Sequence, residues 1–192
     1  SYDYESNKHK HYRKALLNVI PFNDYSGIYD GSKSLIYLEG QKDAFTVSKH
    51  KAYVYNDNTI FFYMGLRDAN YIDRKYYKLF VEFTDEYFEG KYKLKIWTDN
   101  GGADGNNFAL VKEVDLVGEA REKQPLYTIT EEMDATKPYL KHVYYTLYID
   151  YTFEDYTLSP GNRLKYTVNG TLSMQRDLNT LIPDMDQQIQ WD

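Results

Sequence analysis

A chain of 192 residues with a net charge of −6 suits one domain with an extension and is long enough to bury a real core; 23 basic against 29 acidic residues offer no basic surface for nucleic-acid phosphates. The absence of Cys removes disulfides, thiolate nucleophiles and Cys-based zinc or iron–sulfur sites together, and no run approaches the roughly 18 apolar residues of a membrane-spanning helix. The 22 Tyr residues exceed a tenth of the chain; Tyr favours strands and joins an apolar body to a polar tip, so the excess suits a sheet with half-wet faces, and Tyr-rich surfaces also suit binding.

Residues 1–20 open with the basic cluster Lys8, His9, Lys10, His11, Arg13 and Lys14, which reads as a solvated edge or tail. A short apolar run follows, closed by Pro21. They read as the end of a preceding domain or as a first strand, with the barrel domain and a docking tail over 21–192, and the start resembles that of a mature protein or excised domain. Strand patterns come at short intervals over 35–38, 44–47, 51–55 and 59–64, the last two joined by a hairpin turn at Asn56, Asp57 and Asn58. Residues 67–74 form a polar loop. Strands are expected over 76–83 and 94–98, then a Gly-rich loop over 99–107 and further strands at 108–111 and 126–130.

The final pair is the strongest signal. Over 139–153, Val143, Tyr145, Leu147, Ile149, Tyr151 and Phe153 alternate with more polar residues, and over 163–175 Leu164, Tyr166, Val168, Leu172 and Met174 do the same. Period two held this long means strand. No stretch carries a capped helical stripe, so the fold class is all-β: an antiparallel barrel of about eight to ten strands, closed because closure removes exposed edges.

Chemistry is sparser. Only His9, His11, His50 and His142 could serve a Ser-His-acid triad, and no G-x-S-x-G motif is present; His142 reads as structural or ligand-contacting. Asp99, Asp104 and Asn106 suggest a calcium loop, but Leu110 stands where the bidentate acid belongs. Gly101 and Gly102 precede no helix and no Walker lysine follows, so no phosphate cradle is expected. Paired carboxylates for glycoside cleavage come together only in space, and spacing alone does not identify a pair among 29 acids. The reading is therefore non-enzymatic, with no cofactor and no metal. Binding has the positive case: a sugar stacks on an aromatic ring while Asp, Asn or Arg takes its hydroxyls. The candidate ligand-binding residues are Trp97 with Asp99 and Asn100, and Tyr71 with Asp68, Asn70, Asp73 and Arg74.

Residues 169–192, with their closing Ile189 and Trp191, resemble the end signature of a domain family found in surface lipoproteins of Bacteroidetes; residues 20–27, 73–77 and 133–142 agree in order. The resemblance implies a C-terminal, lipocalin-like (calycin-like) barrel, usually behind an immunoglobulin-like domain, in exported, lipid-anchored proteins of starch-utilisation-type glycan uptake systems. The function it implies is a non-catalytic glycan-binding accessory protein at the cell surface or outer membrane. Its partners would be a polysaccharide or oligosaccharide and proteins of the surface complex, with the membrane reached only through a lipid anchor upstream of Ser1. The alternatives are a structural or protein-interaction domain without a small ligand, or a lipocalin-like carrier of an apolar one. Ile189 and Trp191 are expected to dock the tail on the barrel.

Overall fold

The computed structural model describes residues 22–64, 76–99, 106–156 and 161–182. Their strands, in chain order, are β1 (Gly27–Asp30), β2 (Leu35–Leu38), β3 (Ala44–Phe45), β4 (Lys49–Asn56), β5 (Thr59–Tyr63), β6 (Lys78–Phe88) and β7 (Lys91–Thr98), followed by β8 (Ala109–Leu110), β9 (Lys112–Val114), β10 (Ala120–Glu122), β11 (Leu126–Met133), β12 (Leu140–Asp155) and β13 (Leu164–Asn179). Eight of them close an antiparallel barrel: β1, β4, β5, β6, β7, β11, β12 and β13 are neighbours in chain order, and β13 returns to β1. The ring is thus an up-and-down meander with two insertions. No α-helix occurs among the described residues.

The period-two pattern of the last third explains what the others are built on. β12 and β13 pair along their whole length, from Leu140↔Asn179 to Asp155↔Leu164. Shorter strands then share their outer edges: β13 meets β1 at Ser173 and β2 from Tyr166 to Asn169, while β12 meets β11 from Lys141 to Tyr148 and β8 at Tyr151 and Thr152. Where the two long strands cross closest, a side chain does not fit. A Cβ at Gly170 would lie 2.3 Å from the Ile149 carbonyl oxygen, and the Gly170 N–H donates to Asp150 Oδ1 at 3.0 Å.

Inward positions fill the middle of the barrel with side chains. Leu147, Ile149, Tyr151 and Phe153 meet Val168, Leu172, Ile36, Ile60, Leu79 and Leu94 in one buried cluster, each large residue contributing about 1.5–3 kcal/mol of burial. Tyrosines enter this core because their hydroxyls find carbonyls: Tyr29 donates to Tyr25 O at 2.8 Å and Tyr127 to Thr84 O at 2.9 Å. Burial pushes the Tyr29 phenol far above its ordinary range. A ring packed this way matches small closed barrels whose interiors are filled by side chains.

Several boundaries differ from those expected. β6 runs to Phe88 instead of stopping at 83, because pairing with β7 resumes after a register shift between Phe83 and Tyr87. β13 runs to Asn179 instead of stopping at 175, so Arg176 and Asp177 lie within the strand. β1 and the β9–β10 hairpin carry too little apolar alternation to be read from sequence. The hairpin is held instead by charge: Lys112–Glu122 at 3.6 Å, Lys123–Glu113 at 3.4 Å, and Asp115 Oδ1 accepting the Val117 and Glu119 amides at 2.9 and 3.0 Å. Residues 1–21 and the tail with Ile189 and Trp191 lie outside the described residues.

Candidate functional site

On β4 to β7 the alternation that sends Ala52, Ile60, Phe62, Leu79, Val81 and Leu94 into the core leaves the opposite positions on the outer wall. Those positions are aromatic. Tyr53, Phe61, Phe80 and Trp97 stand directly opposite one another, one per strand, through the pairs Tyr53↔Phe61, Phe61↔Phe80 and Phe80↔Trp97. Tyr53 and Phe61 stack at 5.1 Å and 15°, and Phe80 and Trp97 at 5.5 Å and 11°. Phe61 and Phe80 connect the two stacks at 5.8 Å with a 51° tilt. Three strand spacings make the row about 14 Å long.

Flanking rings and cations complete this wall. Tyr55 meets Phe80 edge-on at 5.0 Å, and Tyr63 meets Tyr53 and Phe61 edge-on at 5.6 and 5.8 Å. Phe80 is consequently only 5 % exposed although it lies outside the barrel's core cluster. Lys51 Nζ sits 5.0 Å from the Tyr53 ring centre and Lys78 Nζ 4.7 Å from that of Phe61. Lys95 and Glu82 form an ion pair at 3.5 Å on the same face.

Trp97 is the end member of the row. Among the described residues β11 pairs with β7 only at Tyr92 and Lys93, so no paired strand flanks Trp97 on the side away from Phe80. The buried Asn106 fixes the position instead: Thr98 Oγ1 donates to its Oδ1 at 3.2 Å, the Phe108 amide donates to the same atom at 3.1 Å, and its Nδ2 donates to Tyr76 O at 2.9 Å. The Glu154 amide adds a bond to the Asn106 carbonyl at 2.7 Å.

Of the residues singled out from sequence, Trp97 takes its place on this wall and Asp99 follows it, exposed. Tyr71, Asp68, Asn70, Asp73, Arg74 and Asn100 lie outside the described residues. Tyr53, Phe61, Tyr63 and Phe80 were not recognised as candidates. A partial signal was present on β5, Thr59–Tyr63, which is aromatic or apolar at both parities and so marks a strand with two dry faces; on β4 and β6 the outward rings alternate with Lys51, Lys78 and Glu82 and gave none.

A concavity of about 650 Å³ lies beside the β2–β13 pair and the end of β12, lined by Tyr37, Gln41, Asn107, Thr152, Glu154 and Lys165 among others. Its charges are already satisfied. Arg163 Nη1 lies 3.0 Å from Glu154 Oε2, to which Asn107 Nδ2 donates at 2.7 Å, and Lys165 faces Glu39 at 3.8 Å; Arg163 and Asn107 hold the Glu154 carboxyl below its ordinary range. His142, the one histidine near other polar groups on β12, is clamped between Asp177 and Asp134. Among the described residues no group of three His, Cys, Asp or Glu is placed to hold a metal.

A family model described as a C-terminal domain matches residues 13–173. A protein of unknown function from Bacteroides ovatus is similar at 38% identity and a TM-score of 0.77, over 97% of this chain and 58% of that one. An auxiliary nutrient binding protein from Bacteroides thetaiotaomicron is similar at 36% identity and 0.74, over 99% and 58%. A multidomain protein including DUF1735, also from Bacteroides ovatus, is similar at 35% identity and 0.73, over 90% and 57%. The chain therefore spans under three fifths of each of these structures. Among curated proteins none matches it.

Proposed function

The chain belongs to the C-terminal-domain family whose model matches residues 13–173, and from that premise we propose that it is a non-catalytic accessory domain of nutrient uptake that holds a polysaccharide or oligosaccharide on its outer wall. The observation that carries this reading is the row Tyr53–Phe61–Phe80–Trp97, in register across four strands and flanked by polar groups. Aromatic edges and faces spaced at strand intervals suit the repeating apolar patches of a sugar chain. Such a surface binds without chemistry. The similarity to an auxiliary nutrient binding protein supports the uptake role and a place in the cell envelope.

Affinity gels containing plant, host or microbial polysaccharides test the reading. Retardation by at least one of them, abolished by Trp97→Ala, is the expected result; a folded domain that no polysaccharide retards removes it.

A second reading, a protein-interaction domain within a surface complex, rests on the β9–β10 hairpin. Its tip exposes Leu116 and Val117 fully or nearly so while Asp115 holds the turn rigid. Loss of a co-purifying envelope protein on Leu116→Asp, with glycan retardation unchanged, would favour it.

A further inference from the structure

Resting on the wall as the glycan platform, we infer that its ligand is an anionic polysaccharide whose sugar rings carry carboxylates, as uronic acids do. Lys51 and Lys78 carry the argument. Both ammonium groups lie over rings of the row, 5.0 Å from the Tyr53 centre and 4.7 Å from the Phe61 centre. Neither has a carboxylate within ion-pairing distance among the described residues. Their neighbours on β7 behave differently: Lys93 meets Glu86 at 3.2 Å and Lys95 meets Glu82 at 3.5 Å. In a chain with six more acidic than basic charges, two cations without a carboxylate partner among the described residues make a local positive field on this aromatic wall.

Tyr53 and Phe61 are half-buried, and an ammonium over such a ring at the surface is a weak contact compared with a charge-assisted hydrogen bond to a carboxylate. Both lysines can therefore leave their rings for a ligand anion at little cost. The geometry favours a carboxylate on the sugar ring itself. A pyranose laid against an aromatic side chain places a ring-borne carboxylate beside that side chain's edge, where these ammonium groups already are. Sulfate esters project one bond further and turn out of the ring plane. Asp99, the exposed acid past Trp97 on β7, stands at the opposite end of the row from Lys51 on β4, so the polymer's charge is taken up on the β4–β6 side while Trp97 supplies stacking.

The test uses one polymer in two charge states: polygalacturonate and its highly methyl-esterified form, in affinity gels and by titration at low and high NaCl, with neutral glucan and a sulfated glycan alongside. Polygalacturonate should bind at least tenfold more tightly than the ester. Binding should weaken with salt and be lost in Trp97→Ala. The Lys51→Gln/Lys78→Gln variant, which keeps the rings, should lose the preference for the charged form while circular dichroism shows an unchanged fold. Equal binding of both forms, or Trp97-dependent binding of neutral glucan alone, overturns the anionic ligand and leaves the glycan platform standing. Tighter binding of the sulfated glycan, dependent on the lysines and indifferent to Trp97→Ala, overturns it in favour of simple ion exchange. Binding of none of these polymers overturns both.

Discussion

His142 and Asp177 face each other across the β12–β13 ladder, Nδ1 to Oδ1 at 2.7 Å, while Asp134 Oδ2 takes the other ring nitrogen at 3.2 Å. Two carboxylates on two nitrogens require both to donate, so the clamp holds the imidazolium. Hydrogen bonds to Asp177 first and Asp134 second raise the His142 pKa. A raised folded value means that the stabilisation is complete below the unfolded pKa of about 6.5 and is lost as pH rises through the folded one. Thermal melts of the wild type should therefore fall as pH climbs from about 6.5 into the alkaline range, and His142→Gln should flatten that slope.

His50 works in the opposite direction. It is 4% exposed, and its Nε2 has no hydrogen-bond partner among the described residues. Desolvation lowers its pKa, against a smaller raising contribution from the Val47 carbonyl. Its stabilisation is present above about pH 6.5 and is lost as pH falls through the folded value, because the buried ring must then charge. His50→Leu should soften the acid side of the melting profile and leave the alkaline side as it was.

Beside that ring, Gly31 has no room for a side chain: a Cβ would lie 2.1 Å from His50 Nε2 and 2.7 Å from the Val47 carbonyl oxygen. Gly31→Ala should cost about 1–3 kcal/mol, as overpacking does. In urea melts part of the loss should return in the Gly31→Ala/His50→Ala double variant, since one of the two clashes is then gone.

Asn106 is 1% exposed and joins β7, the start of β6, β8 and β12 through four hydrogen bonds. Asn106→Ala removes the buried side-chain bonds to the Tyr76 carbonyl, the Phe108 amide and the Thr98 hydroxyl, which should lower stability by about 1–3 kcal/mol. Because Thr98 follows Trp97, the same substitution should loosen the end of the aromatic row. Only Trp97 and Trp191 are present, so in a Trp191→Phe background the emission of Trp97 should move to longer wavelength when Asn106 is replaced.

The wall itself is predicted to be separable from the core. Trp97→Ala exposes one flank of Phe80 without opening the barrel, so its stability loss should stay near about 1–2 kcal/mol, below the 3–5 kcal/mol of a fully buried Trp. Calorimetric melting beside the gel assays would show whether ligand retention falls independently of fold.

The barrel was legible because its long strands have one wet face. Tyr145, Leu147, Ile149 and Tyr151 alternate with polar residues so regularly that only a half-buried strand fits. β9 and β10 escaped because salt bridges such as Lys112–Glu122, and not burial, align them. Trp97 stood out by its place at a strand end before Asp99 and Asn100, but the row it belongs to could not be seen. Phe61 and Phe80 lie on separate strands whose spacing in sequence carries no register, and only the pairing of β5 with β6 brings them side by side on the outer wall.

The meander also sets an order of events for the growing chain. Neighbouring strands in the ring follow one another in sequence, with one exception: Asp30 of β1 pairs with Ser173 of β13, nearly the whole domain apart. Strands from β1 to β12 can zip progressively as each is made, but the first edge has no partner until the last strand arrives. Loop-closure entropy makes that final contact the slow one. Until it forms, β1 offers an open ladder to any passing strand, so the half-made domain is the state most exposed to misassociation and the one a holding chaperone would shield.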